Sequence, residues 1–210
     1  WAFLGDSASN KVLHPARAAT SGCESALLAK AGMTGAENIL TTEDGGLLGM
    51  MSHEHDVSRV NNGLGEVWEI RYMDNKPYPC WRSTHCTIDS ALALRNEQGV
   101  KAEDIEHVQV RTYLVGNKQC GMSEGSRRPK TPIDAKFSTP YTVASAFLRG
   151  NVTGDDFTPE AIGKPDVQEL LRRVEVVSDD EFTQAYPERW GCKLIATLKD
   201  GRKLSAITTD

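Results

Sequence analysis

The sequence predicts an α+β protein in which helices cover one face of a small, mainly antiparallel sheet. Three observations lead there. The hydrophobic period switches from helical to alternating soon after Glu97. From Pro79 onward the expected elements run helix, strand, helix, helix, strand, strand, strand. The last two strands flank Asp200-Gly201, a pair suited to the positive φ angles of a tight hairpin turn.

Residues 15–31 read as a helix, with Pro15 in the first turn, Ala19, Cys23, Ala26 and Leu27 as small or apolar residues, and Gly32 just past the end. Residues 45–79 are rich in Gly, Asn and Met and hold one short apolar run, Val67-Trp68-Glu69-Ile70, so a domain junction falls near the end of this stretch. A second helix is expected over residues 87–97, with Ile88, Ala91, Leu92 and Arg95 on one face and Gly99 as terminator. Residues 105–115 alternate and place Val108, Val110, Thr112 and Leu114 on one side of a half-buried strand. Residues 116–136 read as a long polar loop, a length that is more often functional or mobile than decorative. Helices over residues 140–149, closed by Gly150, and 166–173 follow. Val174-Glu175-Val176-Val177 forms a strand, and residues 192–198 and 203–207 pair across Lys199-Asp200-Gly201-Arg202.

A chain of 210 residues with 39% hydrophobic and 25% charged residues is long enough to bury a core. Its net charge of -5 leaves no broad basic field, so neither nucleic acid nor a membrane surface is an expected partner. No stretch approaches the roughly 18 consecutive apolar residues of a membrane span, and no charged-then-apolar leader opens the chain, so a soluble, unexported protein is expected. The cysteines Cys23, Cys80, Cys86, Cys120 and Cys192 are odd in number and form no C-x-x-C pair. They read as free thiols in a reducing compartment, and no metal is expected. The opening Trp1-Ala2-Phe3-Leu4 lacks methionine and Asp210 directly follows a predicted strand, so a portion of a larger protein is expected.

Three predicted helices carry an acid-binding or proton-moving residue at or just before the first turn: Lys11 and His14 ahead of Pro15, His85 ahead of Ile88, and Tyr141 beside Pro140. Helix N-termini offer unpaired amide donors and a positive dipole end, where a carboxylate is stabilised. Lysine can hold a carboxylate and the charge that develops beside it, histidine can take and return a proton near neutral pH, and a tyrosine hydroxyl can donate to a leaving oxygen. Each also has a plainer reading. Lys11 can be a solvated surface amine, His14 a capping residue, His85 a backbone-bonded ring and Tyr141 a packing residue. His53-Glu54-His55 lacks a third metal ligand and reads as a solvated turn. Arg127, Arg128 and Lys130 read as a wet basic loop, with a clamp over an acidic substrate as the alternative.

Four stretches stand in order along nearly the whole chain: Lys11-Val12-Leu13-His14-Pro15-Ala16-Arg17-Ala18-Ala19; Tyr78-Pro79-Cys80-Trp81-Arg82-Ser83-Thr84-His85 with Ile88-Asp89-Ser90-Ala91-Leu92; Asp134-Ala135-Lys136-Phe137-Ser138-Thr139-Pro140-Tyr141; and Glu188-Arg189-Trp190 before the hairpin. Together they resemble the MmgE/PrpD family, which includes 2-methylcitrate dehydratase, cis-aconitate decarboxylase and iminodisuccinate epimerase. Ala16 stands where that family usually has glycine. The resemblance implies a longer protein with an all-helical domain and an α/β lid. Residues 1–78 then form the incomplete C-terminal part of the helical domain and residues 79–210 the lid. It places the family's active-site lysine on Lys11, its lid histidine on His85 and its tyrosine on Tyr141, while His14, Arg82 and Lys136 are expected to bind substrate. The implied activity is a lyase reaction without cofactor or metal, dehydration of a 2-methylcitrate-type hydroxy-tricarboxylate by proton transfer. Decarboxylation or epimerisation would use nearly the same groups, and the isolated segment could be a non-catalytic lid or assembly fragment. The expected partners are a small polycarboxylate, the missing helical part of the same protein and a second copy in a homodimer. The expected compartment is the cytoplasm, or the mitochondrial matrix in a eukaryote.

Overall fold

Pro15 and the small residues around it favour a helix over residues whose side chains need little room. In the computed structural model, which describes residue 6 and residues 8–210, that helix is α1 (Leu13–Lys30), followed by Gly32 at φ 95. The chain separates into two units. The smaller is Val12–Asn75, and the larger joins the residues up to Lys11 with Lys76–Asp210. In the smaller unit a second, short helix α2 (Leu47–Met51) and 3₁₀ turns at Val57–Arg59 and Glu69–Tyr72 follow α1. Neither helix contains a buried residue, and Leu27, Met33, Met50, Leu64 and Ile70 are all exposed.

The larger unit runs α3 (His85–Asn96), β1 (Ile105–Thr112), α4 (Leu114–Cys120), α5 (Glu124–Arg127), α6 (Pro132–Lys136) and α7 (Thr139–Arg149). It continues with α8 (Pro159–Ile162), α9 (Pro165–Leu171), β2 (Val174–Ser178), α10 (Asp180–Ala185), β3 (Gly191–Leu198) and β4 (Lys203–Thr209). The four strands form one sheet in the order β2-β1-β3-β4, with β1 and β2 parallel and the other two pairings antiparallel. The register sets Val108 opposite Ala196, Val110 opposite Leu194 and Thr112 opposite Cys192, all buried. Strand period 2 puts these on one face, while His107, Gln109 and Arg111 face away and stay at least partly exposed. On the buried face α3 packs against β3 and β4, and α7 packs against α3, β2 and α9. The α+β class with helices on one face of a mainly antiparallel sheet is therefore the observed architecture.

Helix α3 buries Ile88, Ala91 and Leu94 completely, the i, i+3, i+6 stripe of an amphipathic helix. Its Ser90 hydroxyl lies 2.8 Å from Thr208 Oγ1 and 3.4 Å from Cys192 Sγ, which fixes the helix to the hairpin by polar as well as apolar contact. Arg95, expected on the apolar face, instead donates to the Phe147 carbonyl at the end of α7. Helix α7 starts at Ser138, whose hydroxyl accepts from the Tyr141 amide at 3.0 Å, and stops at Gly150 with φ 73, a left-handed position that only glycine takes without strain.

Residues 113–136 depart from expectation. The strand stops at Thr112, and Leu114 begins α4 because its amide donates to Thr183 Oγ1 at 2.9 Å, while the Asp179 amide takes the Thr112 carbonyl at 2.8 Å. The expected long loop is instead three short helices, α4 to α6, each too short to show a period. Ser123 caps α5 and Thr131, ahead of Pro132, caps α6, signals that polar composition alone hides. The short helices α8 and α10 likewise begin at capping residues, Thr158 and Asp179. Among the described residues no helix is long and apolar enough to cross a membrane.

Phe147 is fully buried on α7 beneath the Arg95 anchor. Its replacement by alanine should cost about 3–5 kcal/mol of stability, the range for removing a buried aromatic ring, read as a lowered urea midpoint at unchanged slope.

Candidate active site

His85 is the first residue of α3, placed there by the 3₁₀ turn Arg82–Thr84 that leads into the helix. The turn is pinned from several sides. The Trp81 amide donates to the Lys136 carbonyl at 2.9 Å, its indole Nε1 donates to Gln119 at 2.7 Å, and the Ser83 hydroxyl donates to the same Gln119 oxygen at 3.1 Å. Trp81 also stacks on Phe137, with ring centroids 4.8 Å apart. The histidine that follows is 1% exposed.

Its ring has two different nitrogens. Nε2 lies 3.4 Å from the Cys80 carbonyl, which can only accept, so Nε2 carries the proton. Nδ1 is then the lone-pair nitrogen, and it is buried with no hydrogen-bond partner among the described residues. The edge of Tyr78 meets the ring, centroids 5.4 Å apart at 87°, and the Tyr78 hydroxyl donates to Asp89 at 2.5 Å, one turn further along α3. Burial lowers the His85 pKa, and the positive charges of Arg82 and Lys76 lower it further against the Cys80 hydrogen bond and Asp89. The imidazole is therefore neutral, with one buried, unpaired basic nitrogen. Burial also pushes the Cys80 thiol up to about 11, although Lys76 and Lys136 work in the opposite direction.

The other expected residues fall as follows. Arg82 is ion-paired with Asp210, and its guanidinium lies over Trp190, 5.3 Å from the ring centroid. Lys136 is half-buried, with its ammonium 5.9 Å from the centroid of Phe157. Tyr141, in the first turn of α7, packs on that same Phe157, and its buried hydroxyl donates to the Asp156 carbonyl. Burial raises its pKa, so the phenol stays protonated. Arg82, His85, Lys136 and Tyr141 thus belong to one connected patch of the larger unit, joined through Trp81, Phe137 and Phe157. Lys11 is half-buried in the 3₁₀ turn Ser9–Val12, and His14 is exposed inside the first turn of α1, not ahead of it.

Sequence reasoning assigned no role to Lys76, Tyr78, Asp89 or Gln119. Tyr78 and Asp89 lie inside the quoted motif, but only the helical start at His85 brings Asp89 under the ring's edge partner. Gln119 belongs to the region read as loop, and Lys76 to the polar stretch before the junction. Among the described residues no three His, Cys, Asp or Glu side chains gather as metal ligands, and His53 and His55 are exposed.

The larger unit is thus a helix-covered α+β domain that presents a buried histidine whose pKa is lowered by burial and by the charges of Arg82 and Lys76. The chain belongs to the MmgE/PrpD family: the family's C-terminal domain matches residues 78–210. It is 26% identical over 199 residues to cis-aconitate decarboxylase of Mus musculus, covering 91% of this chain and 39% of that protein. The Homo sapiens protein of the same name is 28% identical over 200 residues, again 91% and 39%. Mitochondrial 2-methylcitrate dehydratase of Yarrowia lipolytica is 25% identical over 193 residues, 87% of this chain and 36% of that protein. The chain spans about two fifths of the length of the curated relatives it matches.

A buried neutral histidine leaves a pH signature. Above its ordinary pKa of 6.5 the ring is neutral in folded and unfolded chains alike. As pH falls below that value the unfolded chain takes up a proton that the folded one resists, so stability drops down to the lowered folded pKa. Melting temperatures at pH 7.5 and 5.5 should show this loss in the wild type and a smaller one in His85→Gln. Equal losses in both would remove His85 as the source.

Proposed function

We propose that this chain is part of a cofactor-free lyase acting on small polycarboxylates, in which His85 moves the proton. The observation that carries the reading is the unpaired, buried Nδ1 of a neutral imidazole with Lys76 and Arg82 close enough to act on it electrostatically. A carboxylate held by those cations would set the acidic carbon beside a base that needs no proton removed first.

In the dehydration we favour, His85 takes a proton from the carbon next to a carboxylate, the C–H electron pair forms the double bond, and the C–O bond breaks. The departing hydroxide takes a proton and leaves as water. Lys11 and Tyr141 are the other proposed catalytic residues, the lysine stabilising carboxylate charge and the tyrosine donating to the leaving oxygen; His14, Arg82 and Lys136 bind substrate. Arg82 would exchange Asp210, and Tyr141 the Asp156 carbonyl, for the substrate. The substrate class follows 2-methylcitrate, as the name of the Yarrowia lipolytica relative supports. The names of the Mus musculus and Homo sapiens relatives favour a second reading, cis-aconitate decarboxylation. There the C–CO₂ bond breaks, carbon dioxide leaves, and an acid returns a proton to the carbanion.

The bare apolar residues of the smaller unit support the further proposal that the rest of a helical domain of the same protein packs on it, within a homodimer. An 18-residue helix with no buried residue gains little stability by itself. On this reading residues 1–78 complete that helical domain, residues 79–210 are the lid, and the isolated chain is inactive.

The test uses the full-length protein, with ultraviolet absorbance of the unsaturated acid as readout for 2-methylcitrate and a coupled carbon dioxide assay for cis-aconitate. His85→Ala should lower turnover by roughly 10²- to 10⁴-fold with little change in KM. Lys11→Ala should raise KM along with any fall in turnover, since its charge contacts the carboxylate in ground and transition states alike. Near wild-type turnover in a well-folded His85→Ala protein would exclude the histidine. Activity should also survive prolonged chelation; loss restored by one divalent metal would refute a metal-free mechanism.

A further inference from the structure

A second charged feature of the larger unit shares no residue with the His85 patch. A cleft of about 340 Å³ is bounded by Arg127 and Arg128 at the end of α5, Arg172 just past α9, and the residues Val174, Glu175 and Val176 of β2. Its floor is apolar or backbone, made by the buried residues Gly121, Pro140, Leu171 and Val174, while the three arginines are exposed at its rim. Gly121 makes this closeness possible, because a Cβ there would stand 2.8 Å from Val176 Cβ. Successive strand residues point to opposite faces, so a cleft touching three in a row meets β2 along its edge. That edge is the outer one of the sheet and has no strand partner among the described residues.

The charges do not cancel within the cleft. Arg111, Arg149, Arg173 and Arg202 each pair with an acid elsewhere in this unit, but neither Arg127 nor Arg172 has a carboxylate partner among the described residues. Arg127 uses only Nε, which donates to the Gly121 carbonyl at 3.2 Å and aims the guanidinium. Arg128 meets Glu124 at 3.8 Å, with both side chains about two-thirds exposed, a weak pair. Glu175, the one acid among the described residues that line the cleft, accepts from Gln109 at 3.0 Å and lies 3.8 Å from His107. Both partners belong to β1, so they draw its carboxylate away from the free edge of β2.

We infer that this cleft is a binding site for a small organic polyanion, carrying carboxylate or phosphoryl groups on a short carbon skeleton, separate from the His85 patch. Guanidinium forks match the paired oxygens of both groups. The apolar floor favours an anion with carbon to bury over a bare inorganic ion, and the volume suits a small metabolite, at the lower end of ligand pockets. An extended acidic peptide along β2 would need a longer groove than a cleft of this size.

Calorimetric titration of the chain with citrate and, separately, with fructose 1,6-bisphosphate tests the site and tells the two anion sources apart. One or both should bind, and Arg172→Gln and Arg127→Gln should each weaken that binding about tenfold or more, as for loss of a charged hydrogen-bonding group. Arg172→Glu should abolish it. Because Arg172 is exposed, these variants should melt as the wild type does, so a lost signal reports the site and not the fold. Arg202→Gln, outside the cleft lining and paired with Asp200 in the hairpin turn, should bind normally. The inference is overturned if neither probe binds at millimolar concentration, if Arg202→Gln weakens binding as much as Arg172→Gln does, or if His85→Gln abolishes the binding.

Discussion

The position of His85 depends on how α3 is buried. Ile88, Ala91 and Leu94 leave no freedom to rotate the helix about its axis, and Ser90 keys it to Thr208 and Cys192 across the hairpin. The first residue of such a helix is as fixed as its core. The β1–β3 register that sets Val110 opposite Leu194 therefore governs where an imidazole four residues before Asp89 must lie. Sliding that pairing by one residue would turn the apolar stripe outward and take with it the surface on which α3 rests.

Leaving Nδ1 unpaired in that position costs about 1–3 kcal/mol, the price of a buried polar group without a partner. The fold offsets it with the surrounding polar ties, through Trp81, Ser83 and Gln119, and with the apolar burial just beyond. The same surroundings keep the ring neutral. A protonated imidazole there would lie near two cations in a poorly solvated site, so burial and charge act in one direction and leave a base in place of an acid. Two of the neighbouring polar groups are already engaged, Arg82 with Asp210 and Tyr141 with the Asp156 carbonyl, whereas that nitrogen has no partner among the described residues.

What the sequence made legible follows from length and period. The long helices α1, α3, α7 and the hairpin were readable because each repeats its pattern several times or carries a decisive terminator, as Gly150 and Asp200-Gly201 do. The short helices between β1 and α7 were not, since a helix of four to seven residues shows no period and its only trace is a cap such as Ser123 or Thr131. Leu114 continued the alternation of β1 in sequence, yet the strand partners end at Thr112 and tertiary hydrogen bonds decide the matter. For the site, helix starts pointed to His85 and Tyr141, but not to the environment that determines what each does. The unpaired Nδ1 and the Tyr141–Asp156 bond depend on contacts between distant segments, which no local motif records.

The arginine cleft shows the same limit from the other side. Arg127 and Arg128 stood out as a basic pair, and the composition around them fits a solvated loop equally well. What distinguishes a site from a wet surface is which carboxylates come near, and that depends on Arg172 arriving from the end of α9 while Glu175 turns toward β1. Charge counted along the chain averages over these choices. Its net value of -5 excludes a basic field over the whole molecule but says nothing about a local one, because a single edge strand with its acid drawn to the inner side is enough to leave three guanidinium groups facing one concavity.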